Sequence, residues 1–251
     1  MGTAVSWWGK YFKPHNSLYN SMRIPLYIEF SGKKVAVIGG GGVGTLRAKK
    51  FVEVGADVTV FSKEFSDELR MMFERGEVKL VEASAEELDF ESIARNFDLI
   101  VVAIGSKEFN DKIIEVASKY RAMVNLANDA VKTEVVVPFE GGKEGIRFAV
   151  TTEGKSGVVA RKVRDLFQEA LEGREDLITF LEAMDYLKSY MKSNNVPVEL
   201  RMRLYPIVSK DETFLELVNA GRVEEAKKLV ERIVQDYVSG RRKAEEEGIQ
   251  F

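Results

Sequence analysis

Short apolar runs alternate with stretches of helical periodicity over roughly the first half of the chain. The apolar runs predict five strands, over residues 33–38, 57–61, 78–81, 99–103 and 123–127. The stretches between them predict helices, one of which Gly55 ends and another of which covers residues 110–120. The fourth run, Leu-Ile-Val-Val-Ala, is too continuously apolar to have a face in water. This alternation predicts a doubly wound parallel sheet of the α/β class.

The pattern changes near residue 130. Two strands are predicted over residues 134–138 and 146–150, joined by a glycine-rich turn at 141–145, and a helix follows from Ser156. The remainder is helical, with breaks expected at 194–197 and at Pro206. The predicted domains are therefore an N-terminal extension, a sheet domain, a two-strand segment and a C-terminal helical domain, at residues 1–22, 23–130, 131–172 and 173–251.

Composition removes several kinds of chemistry. The chain has no cysteine and a single histidine, His15, which excludes thiolate nucleophiles, cysteine zinc sites and multi-histidine metal centres, so no metal site is predicted. The 37 Lys and Arg residues against 40 Asp and Glu residues leave a net charge of −3, which favours no nucleic-acid partner. No apolar run reaches the length of a membrane span, and we expect a cytoplasmic protein.

A glycine cluster directly after the first strand is the strongest local motif. Gly39, Gly41 and Gly44 satisfy G-x-G-x-x-G, with Gly42 and Val43 between them at the start of a helix. The first glycine permits a tight turn, the second lets the backbone approach a pyrophosphate, and the third lets helix and strand pack closely. The strand–loop–helix context predicts a Rossmann-like dinucleotide site; a glycine-rich turn without a ligand is the alternative.

The second strand ends without the acid that is typical of NAD-selective sites. Ser62 and Lys63 stand there, and Glu64 follows one position later. Ser62 can bond a ribose hydroxyl, and Lys63 can accept a 2′-phosphate. These residues alone therefore leave both NAD and NADP open.

Several segments together resemble the precorrin-2 dehydrogenase family, the dehydrogenase/ferrochelatase part of siroheme synthases. They are Pro-Leu-Tyr-Ile-Glu-Phe-Ser-Gly-Lys-Lys-Val before the glycine run, Arg47-Ala48 after it, Val-Asn-Leu-Ala-Asn-Asp at 124–129, Pro138, and residues 151–161. The resemblance covers roughly residues 23–172. It implies NAD as cofactor, oxidation of precorrin-2 to sirohydrochlorin, and a homodimer paired through the two-strand segment and the helices. Some members also take Fe²⁺ as a substrate and insert it.

The implied tetrapyrrole substrate carries eight carboxylates, so its site needs cations. Between residues 155 and 164 the chain has four basic residues and no acid, and Arg161 and Arg164 are spaced i, i+3 on one side of a helix. The resemblance makes Lys155, Ser156, Arg161 and Arg164 candidate substrate-binding residues. An ordinary solvated helix face, with Ser156 as an N-cap, is the alternative.

The chain departs from the family where the resemblance places an aspartate as base and metal-handling residue. Asn128 stands at that position and Asp129 follows it. An amide takes no proton at neutral pH, so Asn128 can orient a substrate but cannot act as a general base. Asp129 or water must then receive the proton, unless the pair is a plain turn. The departure favours dehydrogenation over iron insertion.

Two other functions fit the dinucleotide motif. One is a non-catalytic NAD(P)-sensing regulatory module, and the other is a different NAD(P) oxidoreductase that acts on a polycarboxylate. A sensing module usually has an acid after the second strand and needs no basic helix, whereas this chain shows the reverse. The sequence therefore favours the enzyme, with a small-molecule substrate and neither nucleic acid nor a membrane as partner.

Overall fold

The computed structural model describes residues 23–242. The predicted N-terminal extension, His15 and residues 243–251 lie outside the described residues. The chain forms two compact units: the first runs to Val137 and also includes Thr151–Gly157, and the second contains Pro138–Val150 and the residues from Val158 onward. The domain boundaries given above stay a prediction.

A five-stranded parallel sheet forms the centre of the first unit. Its strands lie in the order β3-β2-β1-β4-β5, which is the order of the first five strands of a Rossmann fold. Their bounds are β1 Lys34–Ile38, β2 Asp57–Ser62, β3 Val78–Glu82, β4 Leu99–Val102 and β5 Met123–Leu126. Ile38 at the end of β1 lies opposite Phe61 on one side and Val102 on the other. The strand order reverses at β1, so the crevice beyond its carboxyl end is where such sheets bind ligands. The predicted fold class is confirmed.

Helices cover both faces of this sheet. Alternate residues of β1 point to opposite faces, so Val35 and Val37 pack with Phe51 while Ala36 and Ile38 pack in a second cluster. The helices are α1 Gly42–Val52 and α2 Asp67–Glu74 on the first face, and α3 Phe90–Asn96 and α4 Asn110–Tyr120 on the other. The central strand β4 is apolar throughout and β1 is apolar after Lys34, because neither face of these strands meets water.

The predicted strand at 134–138 is wrong. Those residues lie alongside β5, where the Val135 N–H donates to the Val124 carbonyl at 2.8 Å. The hairpin instead pairs β6 Phe139–Lys143 with β7 Ile146–Val150. Gly141 and Gly142, which were assigned to the turn, lie within β6, and the turn is Glu144-Gly145 with φ of +42° and +91°. Two successive positive φ values are typical of a type I′ hairpin turn.

The second unit is otherwise helical. Its helices are α5 Gly157–Glu172, α6 Glu175–Ser193, α7 Val198–Lys210, α8 Glu212–Asn219 and α9 Val223–Val238. The break at 194–197 is confirmed, but the predicted break at Pro206 is wrong because that residue lies inside α7. Leu204, Ile207 and Val208 are buried around it, and their burial holds the helix together despite the missing N–H. None of the helices formed by residues 23–242 is long and apolar enough to cross a bilayer.

Candidate functional site

The segment from the end of β1 to the first turn of α1 has three positions where a Cβ would clash with backbone, namely Gly39, Gly40 and Gly44. At Gly40 a Cβ would lie 2.3 Å from the Glu64 carbonyl oxygen. Gly39 has φ of +116°, and a Cβ there would lie 2.7 Å from the Ala103 carbonyl oxygen. At Gly44 a Cβ would lie 1.8 Å from the Gly39 carbonyl oxygen. Helix α1 therefore starts close against the end of β1, as the third glycine of the motif requires.

The remaining part of the loop is open and fits a phosphate. A Cβ at Gly41 or Gly42 would meet nothing within 4 Å, and both residues are exposed, as is Val43. Gly41 is the N-cap of α1 without a side-chain bond to the helix, and the first turn contains no acid. The first N–H groups of a helix have no partner within it, and the helix dipole favours an anion beside them. The backbone here fits the pyrophosphate of a dinucleotide.

Thr45 and Ser66 hold this loop in place, and sequence reasoning missed both. The Thr45 hydroxyl donates to the Gly41 carbonyl at 3.0 Å and lies 2.8 Å from the Ser66 hydroxyl. The Ser66 N–H donates to the Gly40 carbonyl at 3.1 Å, and its hydroxyl accepts from the Leu69 N–H at the start of α2. Ser66 before Asp67 is a recognisable N-cap, but its contact with Thr45 arises only from the packing of two loops.

The end of β2 lies beside the glycine loop. The Phe61 carbonyl accepts from the Gly39 N–H at 2.8 Å, and the Ser62 carbonyl accepts from Ala83. Lys63 Nζ lies 3.7 Å from Glu86 Oε2, and both side chains are more than 60% exposed. A pair this long and this exposed contributes little, so the Lys63 charge is available to a ligand.

Asn128, just after β5, is fully engaged in local hydrogen bonds. Its side-chain amide donates to the carbonyls of Ile104 and Ser106 at 2.9 and 2.8 Å. Its oxygen accepts from the side-chain amide of Asn110 at 3.1 Å, and Asn110 is buried. Asn128 therefore fastens the loop after β4 to the loop after β5.

Asp129 is held in its ionised form. Its Oδ1 accepts from the N–H groups of Val131 and Lys132, both at 3.2 Å, and Oδ2 lies 3.5 Å from Lys107 Nζ. The backbone bond from Lys132 lowers the pKa of Asp129 most, and the bond from Val131 and the Lys107 charge lower it further. The carboxylate remains partly exposed, with 12% of its side chain accessible.

Lys155 and Ser156 lie on a tight loop in the first unit. The Thr152 hydroxyl accepts from the Ser156 N–H at 2.9 Å, and the Lys155 N–H donates to the Thr152 carbonyl at 3.1 Å. Lys155 is exposed and forms no ion pair with any residue from 23 to 242. The loop therefore presents a lysine whose charge no acidic residue among 23–242 neutralises.

Arg161 and Arg164 share α5 in the second unit but differ in their surroundings. The Arg161 guanidinium lies 5.5 Å from the centre of the Phe139 ring and has no acidic partner in the described part of the chain. Arg164 donates to the Glu140 carbonyl at 3.2 Å and to Asp165 at 2.6 Å. Among the described residues Arg161 thus has no acidic partner, whereas Arg164 fastens α5 to the hairpin.

The predicted residues of the first unit follow the carboxyl ends of its strands. The glycine loop follows β1, and Asn128 and Asp129 follow β5. Ser62 is the last residue of β2, and Lys63 comes directly after it. The loop with Lys155 and Ser156 belongs to the same unit, and Arg161 and Arg164 belong to the other. Across residues 23–242 no group of three or more His, Asp or Glu residues is arranged to hold a metal ion.

Comparison with known proteins agrees with this geometry. A family model described as putative NAD(P)-binding matches residues 26–139. A putative precorrin-2 dehydrogenase of Methanocaldococcus jannaschii is 28% identical over 213 residues, which is 83% of this chain and 97% of that protein. A precorrin-2 dehydrogenase of Methanosarcina barkeri is 27% identical over 76% of this chain and 84% of that protein. The chain is thus similar to precorrin-2 dehydrogenases over most of its length.

The siroheme synthases that this chain resembles are about twice as long as the region that matches it. The siroheme synthase of Actinobacillus succinogenes is 25% identical over 86% of this chain, and the match spans only 44% of that synthase. The solved structure of SirC, a precorrin-2 dehydrogenase, superposes with a TM-score of 0.58 at 20% identity, over 84% of this chain and 100% of that chain. This likeness shows that the two chains share a fold.

Proposed function

We propose that this protein oxidises precorrin-2 to sirohydrochlorin with a nicotinamide dinucleotide as the hydride acceptor. The observation that carries the proposal is the open glycine loop at the start of α1, at the point where the strand order reverses. The match to nearly the whole of a putative precorrin-2 dehydrogenase supports the same activity.

The protein contributes binding, orientation and charge to this reaction. When bound, the nicotinamide supplies the hydride acceptor. The backbone N–H groups at Gly42 and Val43 bind the pyrophosphate, and Thr45 and Ser66 keep that loop fixed. Lys155 and Arg161 bind substrate carboxylates, since neither has an acidic partner within residues 23–242, with Ser156 beside Lys155. Arg164 positions α5 instead of contacting the substrate.

Asp129 acts as a fixed negative charge. Loss of a hydride leaves positive charge on the macrocycle, which an ionised carboxylate stabilises in the transition state. Its lowered pKa makes Asp129 a weak base, so the proton that the macrocycle then loses passes to water. On this proposal Asp129→Asn lowers kcat at least about tenfold, with a smaller change in KM.

The decisive experiment incubates the protein with precorrin-2 and either NAD or NADP and follows the absorbance of sirohydrochlorin. We expect turnover that requires both substrates. Cofactor binding without turnover would favour the sensing module, and turnover of a different polycarboxylate alone would favour the other oxidoreductase. Either result contradicts the proposal.

We propose NAD as the natural cofactor, in line with the family resemblance. Ser62 ends β2 and the exposed Lys63 follows it. On this proposal Ser62 bonds the ribose of NAD, and Lys63 lets the site also accept the 2′-phosphate of NADP. The expected result is a higher kcat/KM with NAD than with NADP. Lys63→Ala then lowers kcat/KM for NADP and leaves that for NAD unchanged, and the reverse preference overturns this choice.

The proposal is confined to dehydrogenation. The position that the resemblance assigns to a metal-handling aspartate holds the Asn128 amide, which is engaged with two carbonyls. We therefore expect no siroheme from sirohydrochlorin and Fe²⁺ above the rate without protein. Formation of siroheme at an enzymatic rate would show that another group handles the iron.

We also propose that the protein forms a homodimer and works in the cytoplasm. Helix α5 leaves large apolar side chains exposed to solvent, namely Val158, Val159, Leu166 and Phe167. A helix with this much exposed apolar surface is typical of an interface. Light scattering should give twice the mass of one chain, and Leu166→Glu should give the mass of one.

A further inference from the structure

Arg23, at the start of the described chain, makes four contacts with two distant loops. One guanidinium nitrogen, Nη1, donates to Glu153 Oε2 at 2.7 Å. The other, Nη2, donates to the carbonyls of Ala130 and Thr133 at 3.1 and 2.6 Å and to that of Val131 at 3.4 Å. The contacts cross 107 to 130 positions of sequence, and both ends of the ion pair are about three-quarters buried.

The three carbonyls belong to the turn that follows Asn128 and Asp129. Asp129 bonds the N–H groups of Val131 and Lys132 at the start of this turn, and the Thr133 N–H closes it on the Asp129 carbonyl at 3.0 Å. The guanidinium of Arg23 donates to all three of these carbonyls through Nη2. Arg23 thereby fixes the peptides whose N–H groups hold the Asp129 carboxylate.

Glu153 belongs to the loop that carries Lys155 and Ser156. Glu153 has φ of +53° and Gly154 has φ of +82°, so this loop adopts two successive left-handed conformations. A Cβ at Gly154 would lie 2.1 Å from the Ala130 Cβ, which shows that the two loops touch at this point. A left-handed conformation is unfavourable for a glutamate, and the ion pair with Arg23 helps to hold it.

We propose that Arg23 is a positioning residue for the dehydrogenation, which clamps the Asp129 turn to the Lys155–Ser156 loop so that the carboxylate and the substrate-binding groups keep one spacing. The inference rests on the proposed function. It extends that function because Arg23 lies outside every motif of the site and acts through two loops.

An arginine is needed for this task because of its forked shape. Two of its nitrogens point to different partners at once, one to a carboxylate and the other to a group of carbonyls. A lysine keeps the charge but presents only one nitrogen. An exchange of Arg23 and Glu153 keeps the ion pair but brings a carboxylate against three carbonyls, so it cannot restore the clamp.

The test compares Arg23→Gln, Arg23→Lys and Glu153→Gln in the full chain, with Arg75→Gln as the matched control. Arg75 forms a two-pronged ion pair with Glu77 on the surface of the same unit, at the end of α2. The measurements are kcat and KM for precorrin-2, the Kd for NAD, the thermal midpoint, and hydrogen–deuterium exchange of residues 129–133 and 151–156.

We expect Arg23→Gln to lower kcat/KM for precorrin-2 by about tenfold to 100-fold, while the Kd for NAD changes less than about twofold. The kcat/KM of Arg23→Lys and of Glu153→Gln should lie between those of Arg23→Gln and the wild type. Arg75→Gln should have the kcat/KM of the wild type. Exchange should become faster in both loops of Arg23→Gln and stay unchanged in residues 39–45.

Wild-type kinetics in Arg23→Gln would overturn the proposal. So would a loss of activity that only follows the fraction of unfolded protein and disappears at a lower temperature. If the wild type fails to oxidise precorrin-2, the proposed function fails; unchanged exchange in both loops of Arg23→Gln contradicts the clamp independently of any activity.

Discussion

Asn128 shows at the scale of one residue why an amide occupies a position where the family resemblance places a carboxylate. Its nitrogen donates to two carbonyls, and its oxygen accepts from Asn110. A carboxylate could keep only the third of these bonds, because an ionised carboxylate has no donor. The local hydrogen bonds thus require an amide at this position.

Asn128→Asp is accordingly expected to destabilise the protein. Two carbonyls lose their donor and face a negative charge, which costs about 1–3 kcal/mol at pH 7. The introduced carboxyl favours its protonated form in the folded state, so its pKa is raised. The loss of folding stability is therefore complete at a pH above this raised pKa. It shrinks as the pH falls towards the usual pKa of an aspartate, about 3.9. Urea unfolding at pH 7 and pH 4.5 measures both effects.

Asn128→Ala is the control for this substitution. It also removes both donors but introduces no charge, so its loss of stability should be smaller at pH 7 and independent of pH. Equal stability of Asn128→Asp and the wild type at pH 7 would contradict the hydrogen-bond assignment.

At the scale of elements, the glycine loop combines positions of opposite character. Gly44 lies against the backbone of Gly39, whereas Gly42 faces open space at the first turn of α1. Both positions are glycines in this segment, but glycine is needed there for different reasons. One position is required by packing within the protein, and the other leaves room for a ligand.

A pair of alanine substitutions separates these reasons. Gly44→Ala should cost at least about 3 kcal/mol, because backbone cannot give way by the amount that a Cβ at 1.8 Å demands. Gly42→Ala should leave the thermal midpoint unchanged or slightly raised and weaken cofactor binding about tenfold or more. Calorimetric titration with NAD measures the second effect.

Gly173→Ala serves as the control, since a Cβ there also meets open space but lies far along the chain from the motif. Gly173→Ala should change neither the thermal midpoint nor the affinity for NAD. A Gly42→Ala variant with wild-type affinity would show that the cofactor does not approach this backbone.

The hairpin turn offers a stabilising substitution. Glu144 holds φ of +42° at the first central position of a type I′ turn, where asparagine is favoured. Glu144→Asn should raise the stability by about 0.5–1 kcal/mol. Glu144→Ala removes the same side chain but keeps an unfavourable residue type, so it should give no gain. Thermal unfolding of both variants tests this, and an equal gain in both would assign the effect to charge.

At the scale of the whole molecule, each unit has its own core. The sheet clusters contain residues of the first unit alone, and the cluster centred on α6, α7 and α9 contains residues of the second. Leu204→Ala in the second core should cost about 2–5 kcal/mol, while the Kd for NAD measured well below the midpoint stays unchanged. Met202→Ala on the exposed side of the same helix should cost little.

A change in cofactor affinity in Leu204→Ala that is absent from Met202→Ala would show that the two cores are coupled. The Kd for NAD and the thermal midpoint are measured separately, so a loss of stability does not by itself change the measured Kd.

Local patterns predicted most of the first unit. The five apolar runs, Gly55 as a helix end and the strand–glycine–helix succession are set by nearest neighbours, and the structure has each of them. The prediction failed where tertiary contacts outweigh propensity. Gly141 and Gly142 suit a turn, but Ile146 and Phe148 approach them closely in the hairpin. Pro206 suits a helix end, but the core around it keeps the helix intact.

The sequence by itself determined the fold class, the glycine loop and the resemblance to precorrin-2 dehydrogenases, because these depend on hydrophobic periodicity and on short motifs. Only the tertiary structure decided what individual polar residues contact. It engaged Asn128 and Arg164 with carbonyls, left Lys155 and Arg161 without an acidic partner among the described residues, and brought Arg23 to two loops more than 100 positions away. A side chain such as Arg23 or Asn128 bonds several groups that are distant in sequence. Packing decides which of these groups come within hydrogen-bond distance, and no local sequence pattern contains that information.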